Sequence, residues 1–217
     1  MDVLVCGPKV RLANMRWDGN MLPATAIIDD LSREPPVATI GSAWKLVTDA
    51  VMGGVSQGVM AREEVAGRSA IRVRGDVNLE NNGGFVQASL DLSPTAHVVD
   101  ASGWDGIAID VYGNSEVYNV HLRTDYLQRP WQSYRQDFTA YPDWRTVVLR
   151  FSAFAPYRTD IPLDTHRLKR VGLVAIGRAF RCDLAIGGLR YIRDDAHGCN
   201  HRENINRPEA VLRSHAI

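Results

Sequence analysis

Short stretches in which apolar and polar residues alternate recur through most of this 217-residue chain. In one of them, Ile107, Ile109 and Val111 alternate with Asp110 and Tyr112. Successive side chains of an extended strand point to opposite faces, so this pattern is typical of a strand with one buried face. Glycine, proline, asparagine and aspartate separate the stretches, and no long amphipathic helix comes between them. The sequence therefore predicts an all-β domain, a sandwich or a barrel with few short helices.

Eight stretches are predicted to be strands from their alternation or their apolar content. They are 69–75, 84–90, 106–112, 117–123, 133–139, 145–151, 171–177 and 182–192. Only 162–169 has a helical pattern, and it is short. The predicted organisation is an N-terminal extension at 1–25, a sandwich domain at 26–193 and a polar C-terminal extension at 194–217, with Met21 as an alternative start to Met1.

Charge and cysteine content limit the functional classes. Lysine plus arginine and aspartate plus glutamate each number 25, so the formal net charge is zero and does not favour nucleic acid or an anionic membrane as a partner. Three widely spaced cysteines do not make a disulfide framework, which favours a reducing compartment. No apolar run approaches the roughly 20 residues of a membrane helix. We expect a cytoplasmic protein.

Two glycine-rich segments carry the densest local information. They are Asp49-Ala50-Val51-Met52-Gly53-Gly54-Val55-Ser56-Gln57-Gly58 and Asn78-Leu79-Glu80-Asn81-Asn82-Gly83-Gly84-Phe85. Glycine pairs permit unusual backbone angles, so the segments fit tight turns that set strand register. They equally fit loops whose free amides bind an anion or a partner. Neither segment has the spacing of a phosphate-binding loop.

These segments, with Trp44 before them and Trp104-Asp105-Gly106 and 149–154 after them, resemble the complex I intermediate-associated protein 30 family. The resemblance covers 28–192. It implies a jelly-roll sandwich of the galactose-binding-like superfamily, a fold also used by carbohydrate-binding modules. It also implies a chaperone-like role towards a protein partner, which in mitochondrial relatives is respiratory complex I with its subunits and assembly factors. The chain departs from those relatives in lacking a convincing transit peptide.

Alternation also places a set of polar residues opposite the apolar faces of their strands. If those strands adjoin in one sheet, the polar residues and nearby aromatics form a face that suits sugars, because aromatic rings stack on sugars and polar groups bond hydroxyls. A solvated sheet face with cross-strand ion pairs is the alternative. The full set of predicted partner- or ligand-binding residues is Asp49, Met52, Gly53, Gly54, Ser56, Glu80, Asn81, Asn82, Gly83, Gly84, Gln87, Asp110, Asn119, His121, Arg123, Trp131, Tyr134 and Arg135.

The sequence does not favour catalysis. No serine or cysteine has a recognisable nucleophile setting, and carboxylate pairs such as Glu63-Glu64 fall in loops or on alternating faces. No cofactor or metal site is predicted, although the resemblance allows a structural calcium ion near Asp29 or Asp30. We therefore expect a non-catalytic binding or assembly protein, with a carbohydrate-binding module as the alternative.

Overall fold

A computed structural model describes residues 26–193 of the chain, so both predicted extensions lie outside the described residues. The described part contains twelve strands. They are β1 (Ile27–Asp29), β2 (Lys45–Thr48), β3 (Gln57–Val65), β4 (Arg68–Val77), β5 (Phe85–Asp91), β6 (Gly106–Gly113), β7 (Glu116–Thr124), β8 (Ser133–Ala140), β9 (Arg145–Arg150), β10 (Ala155–Tyr157), β11 (Leu168–Ile176) and β12 (Phe180–Ile192). All eight predicted strands are present. Four further strands, β1, β2, β3 and β10, were not predicted.

The strands form two antiparallel sheets. Sheet I has the order β3-β4-β12-β6-β9, and β1 pairs with β12 at its side. Sheet II has the order β10-β8-β7-β11-β5-β2. Neighbouring strands in both sheets are mostly distant in sequence, as in β5 beside β11, which confirms the predicted sandwich and excludes a simple meander.

The core lies between the two sheets and is filled by the faces that alternation predicted to be apolar. Ile107, Ile109 and Val111 from sheet I are buried, and so are Tyr118 and Val120 from sheet II. Their polar neighbours on the same strands point outwards, because the side-chain period of a strand is two. Each sheet therefore has one outer face whose chemistry is free to serve another purpose.

Helical structure in the described residues is limited to four 3₁₀ turns. They are Asp49–Met52, Glu80–Asn82, Phe151–Ala153 and Thr165–Arg167. The last lies inside the stretch that had a helical pattern. The first two lie in the glycine-rich segments. Among the residues described, no helix is long and apolar enough to cross a membrane.

Candidate functional site

The two glycine-rich segments meet around one buried carboxylate. Asp49 is fully buried, and its Oδ1 accepts a hydrogen bond from the backbone N–H of Ser56 at 2.9 Å. Its Oδ2 accepts from Ser56 Oγ at 2.5 Å, from the Gly84 N–H, and from the Phe85 N–H at 3.3 Å. Ser56 Oγ also accepts from the Asn78 N–H at 2.9 Å. This arrangement, which we call the Asp49 clamp, joins the end of β2 to the start of β5.

Glycine is required on both sides of the clamp because the carboxylate fills the space that a side chain would need. A Cβ on Gly54 would overlap Cγ of Asp49, and a Cβ on Gly83 would overlap Oδ2. Two other glycines serve the backbone, since Gly53 has φ 86° and Gly84 has φ 123°, in the region that favours glycine. The double glycines of both segments are thus explained by local packing and geometry.

The electrostatics of the clamp favour an ionised Asp49. Burial opposes ionisation, but the hydrogen bonds donated by Ser56, Gly84 and Phe85 outweigh it and lower the pKa of the carboxyl below its ordinary value. No lysine or arginine forms an ion pair with Asp49 among residues 26–193. The charge is held by neutral donors alone, as in an anion-binding loop turned inwards.

The clamp corrects part of the predicted site. Asp49 and Ser56 are buried, and their polar side-chain atoms form hydrogen bonds with each other and with the backbone, so they hold the two loops together. Glu80 and Asn81 are exposed, and the turn that carries them is capped by Asn78, whose Oδ1 accepts from the Glu80 N–H at 2.9 Å. The side chain of Asn82 lies outside what the structure describes.

Large apolar side chains project from the clamped loops. Val51 is 73% exposed and Met52 is 54% exposed, and Val55 and Leu79 are also exposed. We call these four residues the apolar tip. Beside the tip, a groove of about 560 Å³ runs between β2 and β3, lined by residues that include Leu46, Val47 and Val51. Exposed apolar residues clustered at one place are a common mark of interaction surfaces.

Sequence reasoning included Met52 but missed the rest of the tip. A signal was present, because no charged residue occurs between Asp49 and Arg62. An uncharged stretch of that length is unusual for a surface loop followed by an edge strand. The glycine pairs were interpreted through backbone geometry alone, so the exposed Val51 and Val55 beside Gly53 and Gly54 were not predicted to form a surface.

The outer face of sheet II brings several predicted residues together. In register, His121 lies opposite Arg135 on β8 and Gly172 on β11, and Asn119 lies opposite Asp137. Gln87 on β5 belongs to the same surface, and its amide lies over Gly172, where a Cβ would collide with Nε2. We call Gln87, Asn119, His121, Arg135 and Asp137 the polar face.

Several polar groups of this face have no hydrogen-bond partner among residues 26–193. The side chains of Gln87, Asn119 and Asp137 make no hydrogen bond or ion pair with residues 26–193. Nε2 of His121 is buried and also has no hydrogen-bond partner in that range. Burial, followed by the positive charges of Arg135 and Arg123, lowers the pKa of His121 to about 3, so the imidazole is neutral at physiological pH.

Arg123 is on the same strand but serves the neighbouring loop. Its Nη1 donates to the carbonyls of Arg129 and Pro130 at 2.9 Å each and to Gln132, and Nη2 donates to Leu127 at 2.8 Å. Because these bonds occupy the guanidinium, Arg123 holds the β7–β8 loop in place. That loop carries Trp131, whose side chain is exposed.

Two predicted residues do not belong to the polar face. Asp110 lies on β6 of sheet I, on the opposite side of the sandwich from His121 and Arg123. Tyr134 points into the core, is fully buried, and donates its hydroxyl to the Pro162 carbonyl at 3.1 Å. Asp110 therefore does not share a face with His121, and the side chain of Tyr134 does not reach the surface, because alternation gives the side of a strand but not the sheet that the strand joins.

The outer face of sheet I, unlike the polar face, satisfies its charges internally. Asp110 accepts from Thr146 Oγ1 at 2.6 Å and lies 3.3 Å from Arg68 and 3.4 Å from Arg190. Arg72 makes two parallel 2.7 Å bonds to Asp183. This surface matches the alternative of a solvated face with ion pairs.

The resemblance allowed a calcium ion near Asp29 or Asp30, and the carboxylate of Asp29 does not fit such a site. Both carboxylate oxygens of Asp29 are taken by donors: Oδ1 accepts from Leu31 N–H, Thr39 N–H and Thr39 Oγ1, and Oδ2 accepts from Trp44 Nε1 at 2.7 Å. A calcium ion takes six to eight oxygen ligands, and the oxygens of Asp29 already accept hydrogen bonds. Within 26–193, no three or more His, Cys, Asp or Glu side chains are grouped so as to hold a metal ion.

The comparisons with known proteins concern the family and the fold. The sequence model of a family described as complex I intermediate-associated protein 30 matches residues 37–186, a range that includes both glycine-rich segments. Among curated protein sequences, none is significantly similar to this chain.

Carbohydrate-binding modules are among the solved structures with a similar fold. A family 11 module from Clostridium thermocellum, in complex with a β-1,3-1,4-mixed-linked tetrasaccharide, has a TM-score of 0.57 at 13% identity; the match covers 77% of this chain and 95% of that one. A family 30 module has a TM-score of 0.53 at 13% identity, with 83% and 94% covered. At such low identity the likeness concerns the fold alone, and it confirms the predicted jelly-roll sandwich.

Proposed function

The chain belongs to the complex I intermediate-associated protein 30 family, and on that premise we propose that it is a non-catalytic protein that binds a protein partner during assembly of a larger complex. The family supports an assembly role, and the partner that its name suggests is respiratory complex I. The cytoplasmic location expected from the sequence is part of the proposal.

The observation that carries the proposal is the apolar tip. Val51 and Met52 are more than half exposed on a loop whose base is fixed by the Asp49 clamp. A rigid apolar surface loses little conformational entropy on binding, which favours association with a complementary apolar surface. Loop geometry that serves only strand register would not require valine and methionine at its most exposed positions.

A non-catalytic role agrees with the chemistry of His121. It is the residue of the polar face best suited to act as a base, but its pKa is lowered to about 3 by burial and by Arg135 and Arg123. An efficient general base has a pKa near the working pH. A neutral imidazole of such low basicity can accept or donate a hydrogen bond but is poorly suited to removing a proton.

Deletion of the gene in the source organism tests this role. We expect fully assembled complex I, measured by native gel electrophoresis and by NADH:quinone oxidoreductase activity, to fall several-fold and partly assembled forms to accumulate. The wild-type gene restores the complex, and Met52→Glu does not. Val148→Glu, a charge placed on an exposed valine at the far edge of sheet I, is the matched control and restores it.

Unchanged complex I in the deletion strain would overturn the assembly role. Equal rescue by Met52→Glu and Val148→Glu would leave assembly intact but show that the apolar tip is not the contact.

A second candidate, binding of a glycan, is favoured by the polar face. The amides of Gln87 and Asn119 and the Nε2 of His121, which have no hydrogen-bond partner within residues 26–193, are groups that hydroxyl-rich ligands can satisfy. Exposed Trp131 lies on the loop that Arg123 anchors to the same sheet, and aromatic rings of this kind can stack on sugars.

Isothermal titration calorimetry with a β-1,3-1,4-mixed-linked tetrasaccharide, the ligand of the family 11 module, tests this candidate. Binding should weaken in Asn119→Ala and Gln87→Ala and persist in Asp110→Ala, on the opposite face. Absence of heat at millimolar sugar, for this and for other soluble oligosaccharides, would exclude it.

A further inference from the structure

Apart from the three-residue β1, which pairs only with β12, the two sheets end in four edge strands, and three of these are protected against pairing with another chain. An edge strand exposes unpaired N–H and C=O groups, and proteins commonly protect such edges with short strands, proline or charge. At the edges of sheet II, β10 has three residues with Pro156 in the middle, and β2 has four residues beginning with Lys45. At one edge of sheet I, β9 begins with Arg145 and ends with Arg150.

The fourth edge strand, β3, is protected over only part of its length. Near its C-terminal end, the Arg62 guanidinium donates to the carbonyls of Leu31 and Arg33, so the 30–36 loop covers that part. The part from 57 to 61 reads Gln-Gly-Val-Met-Ala and contains no charge and no proline. Val59 in its middle is 60% exposed.

Space for an additional strand lies next to this part of β3. The groove between β2 and β3 includes Gln57 and Gly58 in its lining. A second groove of about 380 Å³ shares these two residues but lies over β3, β4 and β12, where Arg74, Asp76 and Arg181 also line it. Gly58 has no room for a side chain on its inner side, because a Cβ there would lie 2.8 Å from Cγ1 of the core residue Val86. The apolar tip closes one end through Val51.

We propose that β3, from Gln57 to Ala61, accepts an extended apolar segment of a partner protein, which pairs with it as an added outer strand of sheet I. This inference rests on the proposed function and specifies how the partner is held. Backbone hydrogen bonds to the open edge supply affinity, and alternate apolar side chains of the segment contact Val59 on the outer face and Leu46, Val47 and Val51 in the groove.

The chemistry of the edge selects the occupant. Because no charged side chain occurs between Asp49 and Arg62, a charged residue in the centre of the added strand would be buried without a counter-ion. The best segment therefore has β-branched or aromatic residues, no proline and no central charge. The room beside β3 suits a single extended segment whose side chains enter the groove.

The experiment selects displayed random peptides, with fixed ends and eight variable residues, on the full-length protein. Enriched peptides are synthesised and titrated against the wild type, Val59→Lys and Val148→Lys. Val148 is the matched control, because it is 49% exposed on the opposite edge strand of the same sheet. Ala61→Lys is a second edge variant, and thermal melting of each variant checks that it is folded.

We expect uncharged β-branched sequences to be enriched and to bind the wild type and Val148→Lys equally. Their affinity for Val59→Lys and Ala61→Lys should be lower by roughly tenfold or more, because an edge lysine blocks strand addition. Hydrogen exchange should show protection of amides in 57–61 when peptide is bound.

Failure to enrich such peptides, or equal binding to the β3 and β9 variants, would overturn the inference. Concentration-dependent dimerisation of the wild type that Val59→Lys abolishes would also overturn it, since the edge would then pair with a second copy. Full rescue of complex I by Val59→Lys in the deletion strain would refute this mode of holding the partner while leaving the assembly role standing. Unchanged complex I after deletion, with peptide binding intact, would do the reverse.

Discussion

The Asp49 clamp and the polar face each contain a buried titratable group, but the two groups are in opposite situations. Asp49 is ionised, fully buried and supplied with donors by Ser56, Gly84 and Phe85. His121 is neutral, and its buried Nε2 has no partner within residues 26–193. A buried polar group that the chain satisfies itself is structural, whereas an unsatisfied one points to a ligand, a partner or bound water. The comparison separates the predicted residues that build the fold from those that are available for binding.

The largest expected effect is the loss of the clamp. Asp49→Ala leaves three backbone N–H groups buried without an acceptor, so we expect the free energy of unfolding to fall by about 3–5 kcal/mol. Chemical denaturation measures the change. Asp110→Ala, which removes a carboxylate from the outer face of sheet I, is the control. A loss below about 1 kcal/mol for Asp49→Ala would show that the clamp is not structural.

Overpacking the clamp should have the next largest effect. Gly54→Ala places a Cβ on the Asp49 carboxylate, and we expect destabilisation of about 1–3 kcal/mol, seen as a lower melting temperature. Gly103→Ala is the control, because its Cβ would meet only the flexible end of Arg193 at 3.3 Å. Similar melting temperatures for both variants would contradict the steric role of Gly54.

Acid should distinguish the two buried groups. The pKa of His121 in the folded protein, about 3, lies below its ordinary 6.5, so the unfolded chain binds the proton more tightly. Stability is therefore complete above about pH 6.5 and decreases as the pH falls towards 3, with a loss of about 2 kcal/mol by pH 5.

Denaturation at pH 7 and pH 5 checks this, and His121→Gln should remove most of the difference. The contribution of Asp49, whose pKa is lowered, is complete above its ordinary value of 3.8 and is lost only as the pH falls below it. An unchanged pH dependence in His121→Gln would refute the assignment.

The smallest change in stability is expected for the ion pairs of Asp110 on the outer face of sheet I. Hydrogen bonding by Thr146 and the charges of Arg190 and Arg68 outweigh burial and lower the pKa of Asp110, but these groups are partly exposed. Asp110→Asn should cost less than about 1 kcal/mol, and about 1 M salt should reduce that cost further. A loss of unfolding free energy as large as that of Asp49→Ala would contradict the expectation that the partly exposed carboxylate contributes less to stability than the buried one.

Much of the fold could be predicted because alternation is a local property. It gave eight of the strands and the buried sides of β4, β6 and β7. It missed β1, β2 and β10, which have three, four and three residues, and β3, where exposed Val59 and Ala61 interrupt the usual pattern. The sheet that a strand joins depends on residues distant in sequence. The separation of Asp110 from His121 and the contact of Asp49 with Gly84 could therefore be seen only in the tertiary structure.

The Asp49 clamp has a consequence for the chain as a polymer. Its bond to Gly84 spans 35 positions and encloses the whole β3–β4 hairpin in a closed ring. Extracellular proteins of this size commonly close such rings with a disulfide, but the one cysteine between residues 26 and 193, Cys182, is buried and unpaired. Here the hydrogen bonds between the Asp49 carboxylate and backbone amides close the ring, so no disulfide is required. The hydrogen bonds of the Asp49 clamp therefore persist under reducing conditions and are lost only when the protein unfolds or strong acid protonates Asp49.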